Sequence, residues 1–301
     1  NAGYLIKNDK FMRLDGRRQS SNVDDRRGRR SGLGGKIAGG GVVGVIIAAI
    51  IAWMSGGNPL EVITSQGGSM LSGGSGQSAY VPTQEDEELA IFSKQILAGT
   101  EDVWGEIFRQ NGLTYEPPKL VLFTDAVQSA CGGATSSTGP FYCSADKSVY
   151  LDLSFFKDMR KNLGADGDFA YAYVIAHEVG HHVQNLLGTL DQAHNRMARL
   201  SEAEANKISV RLELQADYYA GVWAHNDNKR FNSLEPGDIE EAIDAASKIG
   251  DDYLQKRARG YTVPDSFNHG TSAQRSRWLR KGLSTGDPSQ GDTFTPAYSA
   301  L

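Results

Sequence analysis

The chain has 301 residues, 40% of them apolar, which is enough for one sizeable core with appendages or for two small domains. With only two cysteines and no C-x-x-C, metal or redox motifs of that type are excluded. The net charge of −5 excludes little until it is divided: residues 1–36 carry ten Lys/Arg against four Asp, a net of +6, so the remaining 21 basic and 32 acidic residues give −11.

Met12 opens "MRLDGRRQSSNVDDRRG", so Asn1 to Phe11 is read as an upstream extension. Arg13 to Lys36, rich in Arg, Asp, Ser and Gly, is expected to be a disordered cytoplasmic stub that completes a unit over 1–36. "IAGGGVVGVIIAAIIAWM", Ile37 to Met54, has no charge and no polar face. As a helix at about 1.5 Å per residue it reaches roughly 27 Å, close to a bilayer's hydrocarbon thickness, so a transmembrane helix is expected. The seven Lys/Arg at 17, 18, 26, 27, 29, 30 and 36 precede this run, and Glu61 is the first charge after it. Positive-inside logic then leaves the N-terminus in the cytoplasm and the body outside. A cleaved signal peptide fits less well, because the basic region is too long and no A-x-A site follows. The Arg pairs are accounted for by the membrane flank, and no nucleic-acid partner is expected.

Residues 55–84 read as a Gly/Ser-rich linker. The folded body is expected over 85–283, followed by a flexible tail, 284–301. It begins with a helix in which Leu89, Phe92, Ile96, Val103 and Ile107 fall at helical spacing and Gly112 is the stop. "KLVLF" and "SVYLDLSFF" read as strands, the second alternating Val149, Leu151, Leu153 against Tyr150, Asp152, Ser154. Cys131 and Cys143 bound a small Gly/Ser/Thr-rich loop and are expected to form a disulfide, with two free buried thiols as the alternative. Helices follow at Phe169 to Leu187, Ser201 to His225, across "PGDIEEAIDAASKIGDDYLQKR", and at Ser272 to Leu283. The fold class is α+β, helix-dominated with a small sheet.

The first of these helices carries the chemistry. In "AYAYVIAHEVGHHVQNLLG", His177 and His181 are i and i+4 and stand on one face, where both imidazoles can reach one metal ion. Glu178, one residue round, is placed to act as general base rather than ligand. Gly180 keeps the helix surface low for another element to approach. In "VRLELQADYYAGVW", Glu213 and Asp217 are again i and i+4, among apolar neighbours that suit unpaired carboxylates poorly. Glu213 is the third ligand of a His₂Glu zinc site, and Asp217 the carboxylate that orients a histidine ligand. His182 points about 100° away from His181 on the helix and is set aside. For stabilising the oxyanion His269 is the candidate, with Tyr218 and Tyr219 as rivals. His194 and His225 are read as structural.

HExxH followed by ExxxD resembles the glutamate-zincins. More closely, "GRRQSSNVDDRRG", "GPFYC", "SVYLDLSFF", "AYVIAHEVGHHVQ", "ELQADYYAGVW" and "FNHGTSAQRSRW" resemble the bacterial neutral zinc metallopeptidases over Met12 to Leu283. The resemblance implies a zincin-like domain anchored in the bacterial inner membrane by a single span. It also implies that "VYLDLSFF" could be an edge strand pairing with an extended substrate, an internal strand being the alternative. The function expected is hydrolysis of peptide bonds in a peptide or protein substrate by a zinc-activated water, with Zn2+ as cofactor. The alternatives are a non-catalytic envelope module with a structural or vestigial zinc site, and a zinc hydrolase of a non-peptide envelope substrate.

Overall fold

The computed structural model describes residues 12–29 and 80–301. Strand β1 (Val23–Asp25) comes first, then the long helix α1 (Gln84–Gln110). Thr83 caps α1: its hydroxyl accepts from Asp86 N–H while the Asp86 carboxylate accepts from Thr83 N–H. The strands β2 (Lys119–Phe123), β3 (Ala126–Ser129), β4 (Gly132–Thr135), β5 (Phe141–Cys143) and β6 (Ser148–Asp152) follow. The rest is helical: α2 (Ser154–Asp158), α3 (Asp168–Leu186), α4 (Thr189–Met197), α5 (Glu202–Phe231), α6 (Asp238–Lys248), α7 (Asp251–Arg259) and α8 (Ser272–Thr285). Helices dominate and the sheet is small, as an α+β fold requires.

The main sheet runs β1-β2-β6-β5, with β1, β2 and β6 parallel and β5 antiparallel to β6. Leu120, Leu122, Val149 and Leu151 turn one face to the helical core. The other face, with Val121, Phe123, Phe141 and Tyr150, is covered by Val127 and Ala134 of the β3–β4 hairpin. Cys131 at the hairpin tip is disulfide-bonded to Cys143 on β5. This hairpin buries the face of β6 that alternation alone would leave open, and the strand order decides between the edge and internal readings. All five residues of β6 are buried, and the strand is hydrogen-bonded on both sides, so it is internal and β5 forms the edge. Ser154 to Phe156, expected to extend that strand, turn instead into α2.

Helices α3 and α5 form the centre, and α3 is buried on every side from Asp168 to Gln184. Their close crossing depends on Gly180, where an added Cβ would lie 2.9 Å from the Ala216 carbonyl oxygen. Trp104, Phe156, Phe169, Tyr173 and Trp223 fill the surrounding core, each burying area worth roughly 1.5–3 kcal/mol or more. The helix expected from Pro236 to Arg257 is two helices. Gly250 packs so tightly on the start of α8 that a Cβ there would meet Ser272 N at 2.3 Å, and the chain turns at that point.

Three expectations from composition are corrected. Residues 12–29 are not a disordered stub. Met12 is buried, β1 pairs with β2, Arg17 meets the buried Asp227 at 2.6 Å, and Arg18 and Arg27 pair with Asp102 and Asp25 at 2.7 Å each. Nor is the segment after residue 283 a flexible tail: Thr293 and Leu301 are buried, and Arg277 donates to the Leu301 carbonyl at 2.6 Å. The single-pass membrane anchor is also withdrawn, and with it the topology and localisation drawn from it. No helix among the described residues is long and apolar enough to cross a membrane. The expected span, 37–54, lies outside those residues. A chain crossing once between residues 29 and 80 would leave β1 and β2 on opposite sides of a bilayer, yet they share one sheet. Of the arginines in the positive-inside argument, Arg17, Arg18 and Arg27 meet Asp227, Asp102 and Glu87 of the body. The linker over 55–79 and the extension over 1–11 also lie outside the described residues.

Candidate metal centre

Two turns of α3 and one of α5 meet at the Gly180 crossing. His177 Nε2 lies 3.2 Å from Glu213 Oε2, and His181 Nε2 lies 3.4 Å from Glu213 Oε1. These three side chains form a group that could hold a metal ion. Each imidazole is tied back through its other nitrogen. His177 Nδ1 donates to Asp217 Oδ1 at 2.8 Å, and His181 Nδ1 to Gln184 Oε1 at 2.9 Å. With each Nδ1 engaged, both Nε2 atoms face the Glu213 carboxylate, where a cation that displaced the proton between them would find the donors a tetrahedral site needs.

Asp217 is wholly buried and saturated with donors. Besides His177 it accepts from Tyr173 OH at 2.6 Å, and Arg275 donates through Nε to Oδ2 and through Nη2 to Oδ1. Burial opposes charge on this carboxylate, but Arg275 and His177 outweigh it and hold it below its usual range. Burial likewise disfavours the His177 imidazolium, yet Asp217 and Glu213 together raise the ring to about 10. Glu213 resists burial in the same way, with His181 and His177 holding it well below the usual value. The group thus attracts positive charge to the space between its three donors. A divalent cation suits the same place, so the residues present fit zinc. Glu178 is buried beside them, and burial pushes its carboxyl upward, towards a group able to take and return a proton.

His269 is buried in the turn before α8. Asp251 organises that turn: its Oδ2 accepts from the backbone N–H of Asn268, His269 and Gly270, and its Oδ1 holds His269 Nδ1 at 3.0 Å. Gly270 sits against Val210 and Leu214, on either side of Glu213 in the sequence of α5. His269 Nε2 has no hydrogen-bond partner among the described residues. The turn thus lies beside the helix that carries Glu213, but His269 is not one of the three converging donors.

The rivals are engaged elsewhere. Tyr218 OH donates to the Asp287 carbonyl at 2.5 Å, and the Tyr219 ring packs on Trp104. His182 faces the sheet: its Nε2 donates to the Glu116 carbonyl at 2.7 Å, its Nδ1 accepts from Tyr142 OH, and burial lowers the ring to about 4. His225 is held by the Leu283 carbonyl at 2.9 Å. Four residues of the centre escape sequence reasoning: Tyr173, Gln184, Asp251 and Arg275. Tyr173 precedes His177 by four positions and Gln184 follows His181 by three, so helical spacing could have found both. Arg275 has no local signal.

Residues 12–294 match the family described as "Putative neutral zinc metallopeptidase". The chain belongs to that family. It is 47% identical over 289 residues to the uncharacterized protein YpfJ of Escherichia coli K12, covering 94% of this chain and 99% of that protein. It is 44% identical over 193 residues to the uncharacterized protein Rv2575 of Mycobacterium tuberculosis H37Rv, covering 61% of this chain and 64% of that one. No solved structure matches it.

Proposed function

We propose that this family member is a zinc-dependent peptidase that hydrolyses peptide bonds in a peptide or protein substrate. His177, His181 and Glu213 would hold Zn2+, with Glu178 as general base. The observation that carries this reading is the convergence of two imidazole Nε2 atoms on one carboxylate, at 3.2 and 3.4 Å, with both Nδ1 atoms tied back. Zinc held there supplies a Lewis acid that polarises the scissile carbonyl and acidifies a water.

The remaining steps fall to the chain's own residues. Glu178 accepts the attacking water's proton on its carboxylate and returns it to the leaving amine nitrogen. Asp217, itself clamped by Arg275, keeps the His177 proton on Nδ1. His269, held at Nδ1 by Asp251 and with its Nε2 unpartnered among the described residues, is the candidate to stabilise the developing oxyanion.

Substituting Glu178→Gln tests the reading. The variant is expected to bind zinc as the parent does and to lose about 10²–10⁴-fold in cleavage of a peptide library, the usual contribution of a positioned proton carrier. Cleavage at the parental rate by this variant would overturn the mechanism.

A further inference from the structure

We infer that two buried glutamines, Gln184 and Gln215, decide which ring nitrogen of His181 is offered to the metal, and that the segment after α8 sets their direction through the carbonyl of Gly291. The inference rests on His181 being a zinc ligand, as proposed above.

An amide can be turned end for end, so its orientation must come from its partners. Gln184 is fully buried, one turn beyond His181, and its Nε2 lies 2.8 Å from the Leu212 carbonyl and 3.1 Å from Gln215 Oε1. A backbone carbonyl can only accept, so a turned amide would set two oxygens against each other. Gln184 Oε1 therefore faces His181 Nδ1, at 2.9 Å. That oxygen carries no proton, so the proton in this contact belongs to Nδ1, which leaves Nε2 as the nitrogen that can be offered to the metal. Gln215 repeats the logic. Its Nε2 donates to the Gly291 carbonyl at 2.8 Å, which turns Oε1 towards Gln184. Two acceptors, Leu212 O on α5 and Gly291 O beyond α8, thus fix both amides.

The outer end is firmly placed. Arg211 donates to the carbonyls of Thr293 and Pro296, and the Thr293 hydroxyl returns a hydrogen bond to the Arg211 carbonyl at 2.7 Å. Charge explains why an amide serves His181 where a carboxylate serves His177. Glu178, Glu213 and Asp217 contribute three negative charges when ionised, and Arg275 with a divalent ion contributes three positive ones. A carboxylate at position 184 would leave a buried charge uncompensated.

The test measures zinc dissociation constants of the full chain by chelator competition for the parent, Gln184→Met, Gln215→Met, the double variant, and His181→Ala as control. Gln215 borders a cavity of about 530 Å³ between α4, α5 and the last segment, which gives the longer thioether room. Gln184→Met is expected to weaken zinc binding by about 10–100-fold. Gln215→Met should weaken it several-fold, and the double variant no more than Gln184→Met alone, because Gln215 acts only through Gln184. Unfolding midpoints of the metal-free proteins report packing loss separately. A zinc constant within about threefold of the parent in Gln184→Met, or effects that multiply in the double variant, would overturn the relay. If Gln184→Met does not fold, Gln215→Met decides alone, and unchanged zinc affinity there sinks the inference. A parent that binds no zinc, or a His181→Ala variant that binds it equally well, overturns the ligand assignment and the relay with it. Normal control behaviour with unaffected glutamine variants overturns the relay only.

Discussion

Arg275 and Asp217 form a bidentate ion pair in the centre of the protein, with Nε to Oδ2 and Nη2 to Oδ1 both at 2.9 Å. Arg275 is 3% exposed and Asp217 is not exposed at all, so neither charge has water to fall back on. Asp217 also holds His177. The pair therefore links the last long helix to the candidate metal centre. Arg275→Met would strand the Asp217 charge, and breaking a buried pair in this way costs about 3–5 kcal/mol. Arg275→Lys keeps the charge but cannot occupy both oxygens in the fork geometry. Chemical denaturation and zinc titration should show Arg275→Met strongly destabilised and Arg275→Lys intermediate in both measurements. Parental stability in Arg275→Met would contradict the role given to the pair.

Gly180→Ala sets two effects against each other. Alanine gains about 1 kcal/mol of helix propensity over glycine. The new Cβ, however, would lie 2.9 Å from Ala216 O and 3.0 Å from Ala216 Cα, and both are backbone atoms that cannot step aside. Overpacking of this kind costs about 1–3 kcal/mol. The clash is expected to win, lowering the unfolding midpoint and weakening zinc binding together, because Glu213 moves with α5. A more stable Gly180→Ala variant would show that the two helices are not in such close contact.

Asp168, at the start of α3, gives a pH dependence of unusual sign. Burial, then the neighbouring Asp238, raise its carboxyl to about 7. An unfolded aspartate has a pKa of about 3.9. Between these values the folded state keeps a proton that the unfolded state releases, so stability falls as pH rises from about 4 to 7 and levels off above. Asp168→Asn should remove this slope and be more stable than the parent at pH 8, by an amount on the order of a few kcal/mol. Denaturation curves of the two proteins at pH 4, 6 and 8 decide it; parallel pH profiles would mean that Asp168 ionises normally.

The disulfide between Cys131 and Cys143 spans 12 positions and ties the hairpin tip to β5. Closing a loop of this size contributes about 3 kcal/mol in the chain-entropy account. The hairpin packs on the sheet face away from α3, in a cluster separate from the helical core. The paired variant Cys131→Ala/Cys143→Ala should lose about that stability while its zinc affinity stays at the parental level. Loss of zinc affinity would show that the hairpin reaches the metal centre.

The convergence of His177, His181 and Glu213 was legible in the sequence to the extent that helices repeat locally. His177 with His181, and Glu213 with Asp217, are pairs four residues apart, and that spacing stacks side chains on one face whatever the rest of the chain does. Arg275 reaches Asp217 across 58 positions, and no local pattern announces such a contact. The misreading of residues 12–29 has the same origin. Composition shows their arginines but not Glu101, Asp102 or Asp227, the carboxylates that meet them from distant helices. Alternation in β6 was visible too, but periodicity does not say what covers each face, and the β3–β4 hairpin covers the second.

The parallel pairing of Val23 with Leu120 also bears on the order of events during synthesis. Strand β1 leaves the ribosome well before β2 exists to receive it. At about 5–20 residues per second, it waits roughly 5–20 seconds for its partner. During that interval Met12 and the Val23–Asp25 strand have no sheet to join. Closure of β1 onto β2 is therefore a late, non-local step, slow in the way that high contact order makes such steps slow. A nascent chain stalled before Lys119 would carry its N-terminal strand as bait for chaperones or for a stray sheet edge.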